Sequence, residues 1–97
     1  MKKVVIEDSE NGLQAFVIRE NNEKLAEMVF SVEDRVMTVY HTEVYPTATE
    51  KGLGKTLLEA MVAHARSNGW KVIPFCVFVN SQFRRHPELY ADIWQKS

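Results

Sequence analysis

Cysteine is nearly absent: Cys76 is the only one in the chain. No internal disulfide can form, and a cysteine-rich metal site is excluded. The three histidines, His41, His64 and His86, are scattered without a ligand spacing such as H-E-x-x-H, so no metal is expected. Charge of one sign is also lacking. Twelve lysines and arginines against thirteen acids leave a formal net charge of −1, with no basic surplus for nucleic acid and no charge block typical of a disordered tail. No stretch approaches the roughly 18 apolar residues of a membrane span. The N-terminal Met1-Lys2-Lys3-Val4-Val5-Ile6-Glu7-Asp8 has too short an apolar run for a signal peptide. A cytoplasmic protein with no membrane or nucleic-acid partner is the resulting expectation. Ninety-seven residues suffice for one core and not two, so residues 1–97 are read as a single domain.

Val4-Val5-Ile6 is a β-branched strand candidate, closed by the turn composition Asp8-Ser9-Glu10-Asn11-Gly12. Residues 13–19 form a second, with Ala15 and Val17 on one side and Phe16 and Ile18 on the other. Residues 24–32 alternate, placing Ala26, Met28, Phe30 and Val32 on one face. In residues 36–44, alternation puts Val36, Thr38, Tyr40, Thr42 and Val44 on one face and Met37, Val39, His41 and Glu43 on the other. The short polar turns between these four strands argue for an antiparallel meander. Pro46 lacks an N–H and is expected to weaken pairing, splaying the fourth strand from its neighbour.

Leu53, Leu57, Leu58, Met61, Val62 and Ala65 recur at helical spacing and predict a helix over 52–67, stopped at Asn68-Gly69. Residues 70–76 read as a buried fifth strand, so the helix is a crossover and strands four and five should be parallel. Short helices are expected over 78–85 and from Pro87 onward. The fold class is therefore α+β (mixed α/β): a four-stranded antiparallel meander, a parallel fifth strand joined by a crossover helix, and short C-terminal helices.

The loop between the fourth strand and the helix carries the chemistry. Gly52 and Gly54 open a helix whose first N–H groups are unpaired and partly positive, and glycine lets a phosphate approach the backbone closely. Lys51, Lys55 and Thr56 add charge and a hydroxyl. The nucleotide-binding P-loop, G-x-x-x-x-G-K-[ST], fits Gly54-Lys55-Thr56 but requires glycine where Thr49 stands.

The order of meander, splayed strand, glycine loop, crossover helix and fifth strand resembles the GNAT acetyltransferases, in particular their small stand-alone members. The resemblance rests on His41-Thr42-Glu43-Val44, Gly52-Leu53-Gly54, Pro74-Phe75-Cys76-Val77-Phe78-Val79 and His86-Pro87-Glu88-Leu89-Tyr90, four blocks in matching order and spacing. The chain departs from the family loop [QR]-x-x-G-x-[GA] at Thr49. The resemblance implies a GNAT-like fold and acetyl-CoA as cosubstrate. Its pyrophosphate would lie on the amides of Lys51, Gly52, Leu53, Gly54, Lys55 and Thr56, and its pantetheine along Thr42, Val44 and Tyr45. The implied reaction is direct transfer of the acetyl group to an amine, small or peptidic, by a monomer or homodimer. Two alternatives stay open: a non-catalytic acyl-CoA-binding module, since no N-terminal helical segment walls an acceptor pocket, and a P-loop-like nucleotide binder.

Four residues are candidates for catalysis, each with a plainer reading. Glu43 and His41 share a face beside the expected thioester and either is a candidate base, directly or through water; otherwise they are a solvated carboxylate and a hydrogen-bonded histidine. Cys76, ending the fifth strand, is a candidate acyl acceptor or a disulfide partner for free coenzyme A; otherwise it is a small buried hydrophobe. Tyr90 corresponds to a late tyrosine that protonates the departing thiolate in several family members; otherwise it is an aromatic packed on the sheet rim. Arg84 and Arg85 suit the adenosine phosphate, an acidic partner or a solvated face.

Overall fold

Two polar turns set the sheet's register. Asn21 and Asn22 have φ of 53 and 68°, and Asp34 and Arg35 have φ of 53 and 67°. Paired positive-φ residues make the two-residue turn whose twist matches antiparallel strands. The first joins β2 (Gln14–Glu20) to β3 (Glu23–Glu33), and the second joins β3 to β4 (Val36–Val44). β1 (Val4–Asp8) pairs antiparallel with β2 after a 3-10 turn at Glu10–Gly12. The computed structural model describes residues 3–48 and 51–96, so Thr49 lies outside the described residues. α1 (Leu53–Asn68) crosses over to β5 (Lys71–Pro74), which lies parallel to β4 in a sheet ordered β1-β2-β3-β4-β5. α2 (Val77–Arg85) and α3 (Pro87–Tyr90) follow. The α+β class expected from the sequence is the one that forms. No described helix is long and apolar enough to cross a membrane.

α1 buries Leu53, Leu57, Leu58, Met61, Val62 and Ala65, the whole of the predicted stripe, against Phe16, Ile18, Ala26, Met28, Phe30, Met37 and Val39 of the sheet. Apolar burial of this kind is the main favourable term in folding. Gly69 ends the helix at φ 70°, its N–H on Arg66 O and the Trp70 N–H on Ala65 O, so Trp70 belongs to the cap and not to β5. Val79 and Phe83 of α2 and Ile93 join the same core, which leaves the sheet's second face without a helix among the described residues. Polar pairs cover that face: Arg19 with Glu7, Lys24 with Glu27, and Ser31 with Tyr40.

The fourth strand does not alternate as expected. Val29 is opposite His41 but Phe30 is opposite Val39, so Tyr40 is an extra residue, a bulge. A one-residue insertion reverses every later side chain. Met37 and Val39 therefore share the helix-covered face with Thr42 and Val44, not with His41 and Glu43. Tyr40, His41 and Glu43 lie on the open face with Thr38, and the Tyr40 hydroxyl is 2.9 Å from Ser31 Oγ.

The expected splay exists, but Pro46 is not where it starts. The Tyr45 N–H still donates to Leu25 O at 2.9 Å, so β3 and β4 stay paired up to the proline. The parting is between β4 and β5. Their ladder ends at Val39 and Pro74, with the Cys76 N–H closing it on Val39 O at 2.9 Å. β5 thus stops short of the predicted residue 76.

The C-terminal segment covers the outer edge of β5. Val72 N–H donates to Ile93 O and Gln95 N–H to Val72 O, at 2.6 and 2.8 Å. Arg66 anchors this segment through Asp92, with Nε–Oδ2 and Nη2–Oδ1 distances of 2.8 and 3.0 Å. The Arg66 hydrogen bonds hold the Asp92 carboxyl below its ordinary 3.8. A lowered folded value stabilises above the unfolded pKa and ceases to as pH falls through the folded one. Because the pair is exposed, Asp92→Asn is expected to cost less than about 1 kcal/mol at pH 7. Thermal melts of both proteins should converge only once the pH has fallen through that lowered folded value, below the ordinary 3.8.

Candidate active site

The gap between β4 and β5 is the feature on which the candidate residues converge. Backbone groups alternate in direction along a strand. Since the Tyr45 N–H faces β3, those of Thr42 and Val44, three and one residues before it, face the side that β5 has vacated. Each offers an N–H and a C=O to whatever enters. The gap widens into a cleft of about 430 Å³ lined by Tyr40, His41, Thr42, Phe75, Cys76, Val77 and Phe78.

At one wall stands the start of α1. Gly52 has φ 82° and ψ 9°, a left-handed conformation that suits glycine. No side chain among the described residues caps the helix. Its first internal bond is from Thr56 N–H to Gly52 O at 3.0 Å, so the N–H groups of Leu53, Gly54 and Lys55 have no partner inside the helix. Thr56 Oγ1 donates to the same Gly52 carbonyl at 3.1 Å, which spends the hydroxyl's proton on the loop. Gly54 lies against the Phe78 ring: a Cβ built there would meet Cζ at 3.3 Å. The Leu53 side chain is buried, so only its backbone faces outward. Lys51 and Lys55 are exposed.

Cys76 sits where the strands part. Its side chain is 5% exposed, and Sγ is 3.1 Å from Thr42 Oγ1 on the other side of the gap. Around the bulge on the open face, His41 Nε2 is 3.3 Å from Glu43 Oε1, both side chains well exposed. Sequence reasoning missed Tyr40 and Phe75, whose rings are 6.2 Å apart at the cleft rim. Phe75 is 71% exposed beside Cys76, a position that no strand periodicity marks.

Two candidates are not brought to the cleft. Tyr90 stacks on Phe83 at 4.5 Å, 16° from parallel, and borders a groove along the later turns of α1 with Val62 and Arg66. Packing on α2 holds the ring there. Tyr45 is turned to β3: its N–H goes to Leu25 O and its hydroxyl donates to Glu27 Oε2 at 2.9 Å. Burial and this hydrogen bond push the Tyr45 phenol up to about 12. Burial raises the Glu27 carboxyl, but hydrogen bonds from Lys24 and Tyr45 and the nearby positive charge outweigh it, and the net direction is downward. The neutral Tyr45 phenol adds stability below pH 10, which is lost as pH rises through about 12. An absorbance titration should show one of the three tyrosines ionising late, returning toward 10.0 in Glu27→Gln.

The sheet is antiparallel on one side of β4 and parallel only to β5, which is not the parallel setting that a P-loop strand requires. Among the described residues no cluster of three or more His, Cys, Asp or Glu is placed to hold a metal.

Comparison with known proteins agrees with this architecture. A family model described as GCN5-related N-acetyl-transferase matches residues 15–93. The solution structure of a GCN5-like candidate N-acetyltransferase from Staphylococcus aureus is 31% identical and superposes with a TM-score of 0.69, over 100% of this chain and 93% of that one. The crystal structure of ribosomal-protein-alanine N-acetyltransferase from Brucella melitensis biovar Abortus 2308 shares the fold at 19% identity and a TM-score of 0.58. That match covers 91% of this chain but 65% of the other. A search of curated proteins returns no match. With the family pattern spanning both the bulged strand and the glycine-opened helix, the chain belongs to the GCN5-related N-acetyl-transferase family.

Proposed function

We propose that this protein transfers an acetyl group from acetyl-CoA to an amine. The observation that carries the reading is the parting of β4 from β5 after Val39 and Pro74, which opens strand-edge backbone beside an uncapped helix start. The residues present fit the ligand. The N–H groups of Leu53, Gly54 and Lys55, without a partner inside the helix, suit a pyrophosphate, the bare backbone at Gly52 admits it, and Lys51 and Lys55 supply positive charge at the rim. The edge groups of Thr42 and Val44 suit the amide-bearing arm, held as an added strand would be. Bound acetyl-CoA would supply an acetyl group already activated as a thioester.

The chain's own residues have three tasks. The gap positions the amine against the thioester carbonyl, which raises the effective concentration of the reactants. A backbone N–H at the parting stabilises charge on the carbonyl oxygen. His41 and Glu43, 3.3 Å apart and open to water, take the proton that the ammonium must lose.

Titration calorimetry with acetyl-CoA and with Mg-ATP tests the binding half. Heat with acetyl-CoA alone supports the reading, whereas no heat at millimolar concentration, or heat with ATP alone, overturns it. Coenzyme A release across a panel of amines and peptides tests the transfer half. Binding without turnover on any of them would make the protein a non-catalytic acyl-CoA module.

The 3.1 Å contact of Cys76 Sγ with Thr42 Oγ1 favours a second route. Here the thiol, on losing its proton, attacks the acetyl carbonyl, coenzyme A leaves as its thiol, and the amine then takes the acetyl group from Cys76. Intact-mass spectrometry after acid quenching distinguishes the routes: one added acetyl group, absent in Cys76→Ala, is the mark of the second.

A further inference from the structure

We infer that the acceptor amine also carries a carboxylate, held by Arg84 and Lys96 beside Trp94. This rests on the acetyl-transfer reading. A recess of about 470 Å³ lies between α2, the outer edge of β5 and the C-terminal segment. Phe75 lines both this recess and the cleft at Cys76, so its side chain is a wall the two share at the end of β5.

The recess is cationic, and no carboxylate is among the described residues that line it. Arg84 Nε donates to Asn80 Oδ1 at 2.7 Å, and Asn80 Nδ2 donates to Pro74 O at 3.3 Å. The guanidinium is thereby aimed through a neutral amide fixed to the end of β5. Its terminal nitrogens have no partner among the described residues. Arg19 and Arg66 are different: each spends its fork on a carboxylate of its own, Glu7 and Asp92. Lys96 Nζ lies 4.6 Å from the centre of the Trp94 ring, which holds a second cation against the same recess. Trp94 is itself seated edge-on against Phe83 at 5.6 Å. Two cations with no carboxylate partner among the described residues, facing one concave surface, favour an anion that bridges them, and a guanidinium fork matches a carboxylate.

The fold also sets the reach. Arg84 follows Cys76 by eight residues, about 12 Å along a helix axis, and its bond to Asn80 draws the side chain back by up to one turn of about 5 Å. A carboxylate roughly 6–12 Å from the reacting amine bridges the two sites. An acidic side chain two residues beyond a peptide's N-terminal amine spans such a distance. A plain alkylamine or a polyamine has no group for the recess.

The test has two arms. In the first, ¹⁵N-labelled protein is titrated with glutarate and, separately, with the neutral glutaramide, following the Trp94 indole N–H and the Arg84 Nε–H. Saturable shifts with glutarate alone, weakened at least fivefold in Arg84→Gln/Lys96→Gln at Trp94, are expected. No shifts, equal shifts with glutaramide, or unchanged binding in the double variant overturn the anion site. In the second arm, acetylation of the C-terminally amidated peptides Ala-Gly-Glu-NH2 and Ala-Gly-Gln-NH2 is compared. KM should be at least tenfold lower for the acidic peptide, and the double variant should erase that difference while its affinity for acetyl-CoA stays unchanged. Transfer without preference overturns the acceptor assignment and leaves acetyl transfer standing. Glutarate binding with no transfer to any amine overturns acetyl transfer and leaves the anion site standing.

Discussion

Gly52→Val is expected to weaken acetyl-CoA binding at least tenfold while the protein stays folded. The reason is conformational. Among the described residues nothing lies within 4 Å of a Cβ built on Gly52, so the substitution meets no steric wall at that atom. The backbone there is left-handed, φ 82° and ψ 9°. An L-residue pays about 1–2 kcal/mol in that region, and a β-branched one more. That is less than the total stability of about 5–15 kcal/mol expected for a small domain, so α1 should survive in circular dichroism. The loop can relieve the strain only by turning, which re-aims the N–H groups of Leu53, Gly54 and Lys55, and valine also stands over them. Gly54→Ala makes a useful comparison. Gly54 is helical, so alanine gains up to about 1 kcal/mol of helix propensity. Against this, its Cβ presses the Phe78 ring at 3.3 Å, which must shift by a few tenths of an ångström. Calorimetry on both variants separates the two glycines. Unchanged acetyl-CoA affinity in Gly52→Val would remove the helix start from the binding site.

The largest loss of stability is expected from Phe83→Ala, about 3–5 kcal/mol. Phe83 is fully buried, stacked on Tyr90 at 4.5 Å and met edge-on by Trp94 at 5.6 Å. It is thus the pin between α2 and the C-terminal segment, and truncation leaves a cavity that two large rings cannot collapse to fill. Urea unfolding followed by tryptophan fluorescence should show a lower midpoint with the slope unchanged. Phe83→Leu, which keeps most of the volume, should lose far less. Because Trp94 leans on Phe83, Phe83→Ala should also blunt the response to glutarate even where the protein is fully folded. A loss below about 1 kcal/mol would mean that the segment is held by its backbone bonds to Val72 and not by these rings.

The elements that a periodic code can express were legible. The α1 stripe from Leu53 to Ala65 is buried as read, and the polar turns at Asn21-Asn22 and Asp34-Arg35 give the antiparallel meander. The parallel fifth strand followed from the crossover alone. What escaped depends on pairing between distant segments. Tyr40 has the side chain an alternating strand would carry, so nothing local announces that β3 skips it. The parting of the sheet was expected at Pro46, yet Leu25 still receives the Tyr45 N–H, and the ladder gives way at Pro74 on a different strand. Tyr90 was singled out by family resemblance alone, and nothing in its sequence neighbourhood announced the stack on Phe83. Phe75, flanked by Pro74 and Cys76, looked like core and projects into solvent. Cys76, Thr42, His41 and Glu43 do gather around the gap, but on two sides of it, a division that strict alternation could not have given.

That division follows from one surplus amino acid in a nine-residue strand. Before Tyr40 the ribbon is masonry, its inward side chains sealed under α1; after it the parity flips, and the same ribbon becomes a partition with a distinct tenant on either side. On the acetyl-transfer reading, donor and recipient would then enter from different sides of the same strand. Counting one residue out of step achieves that separation within a single sheet.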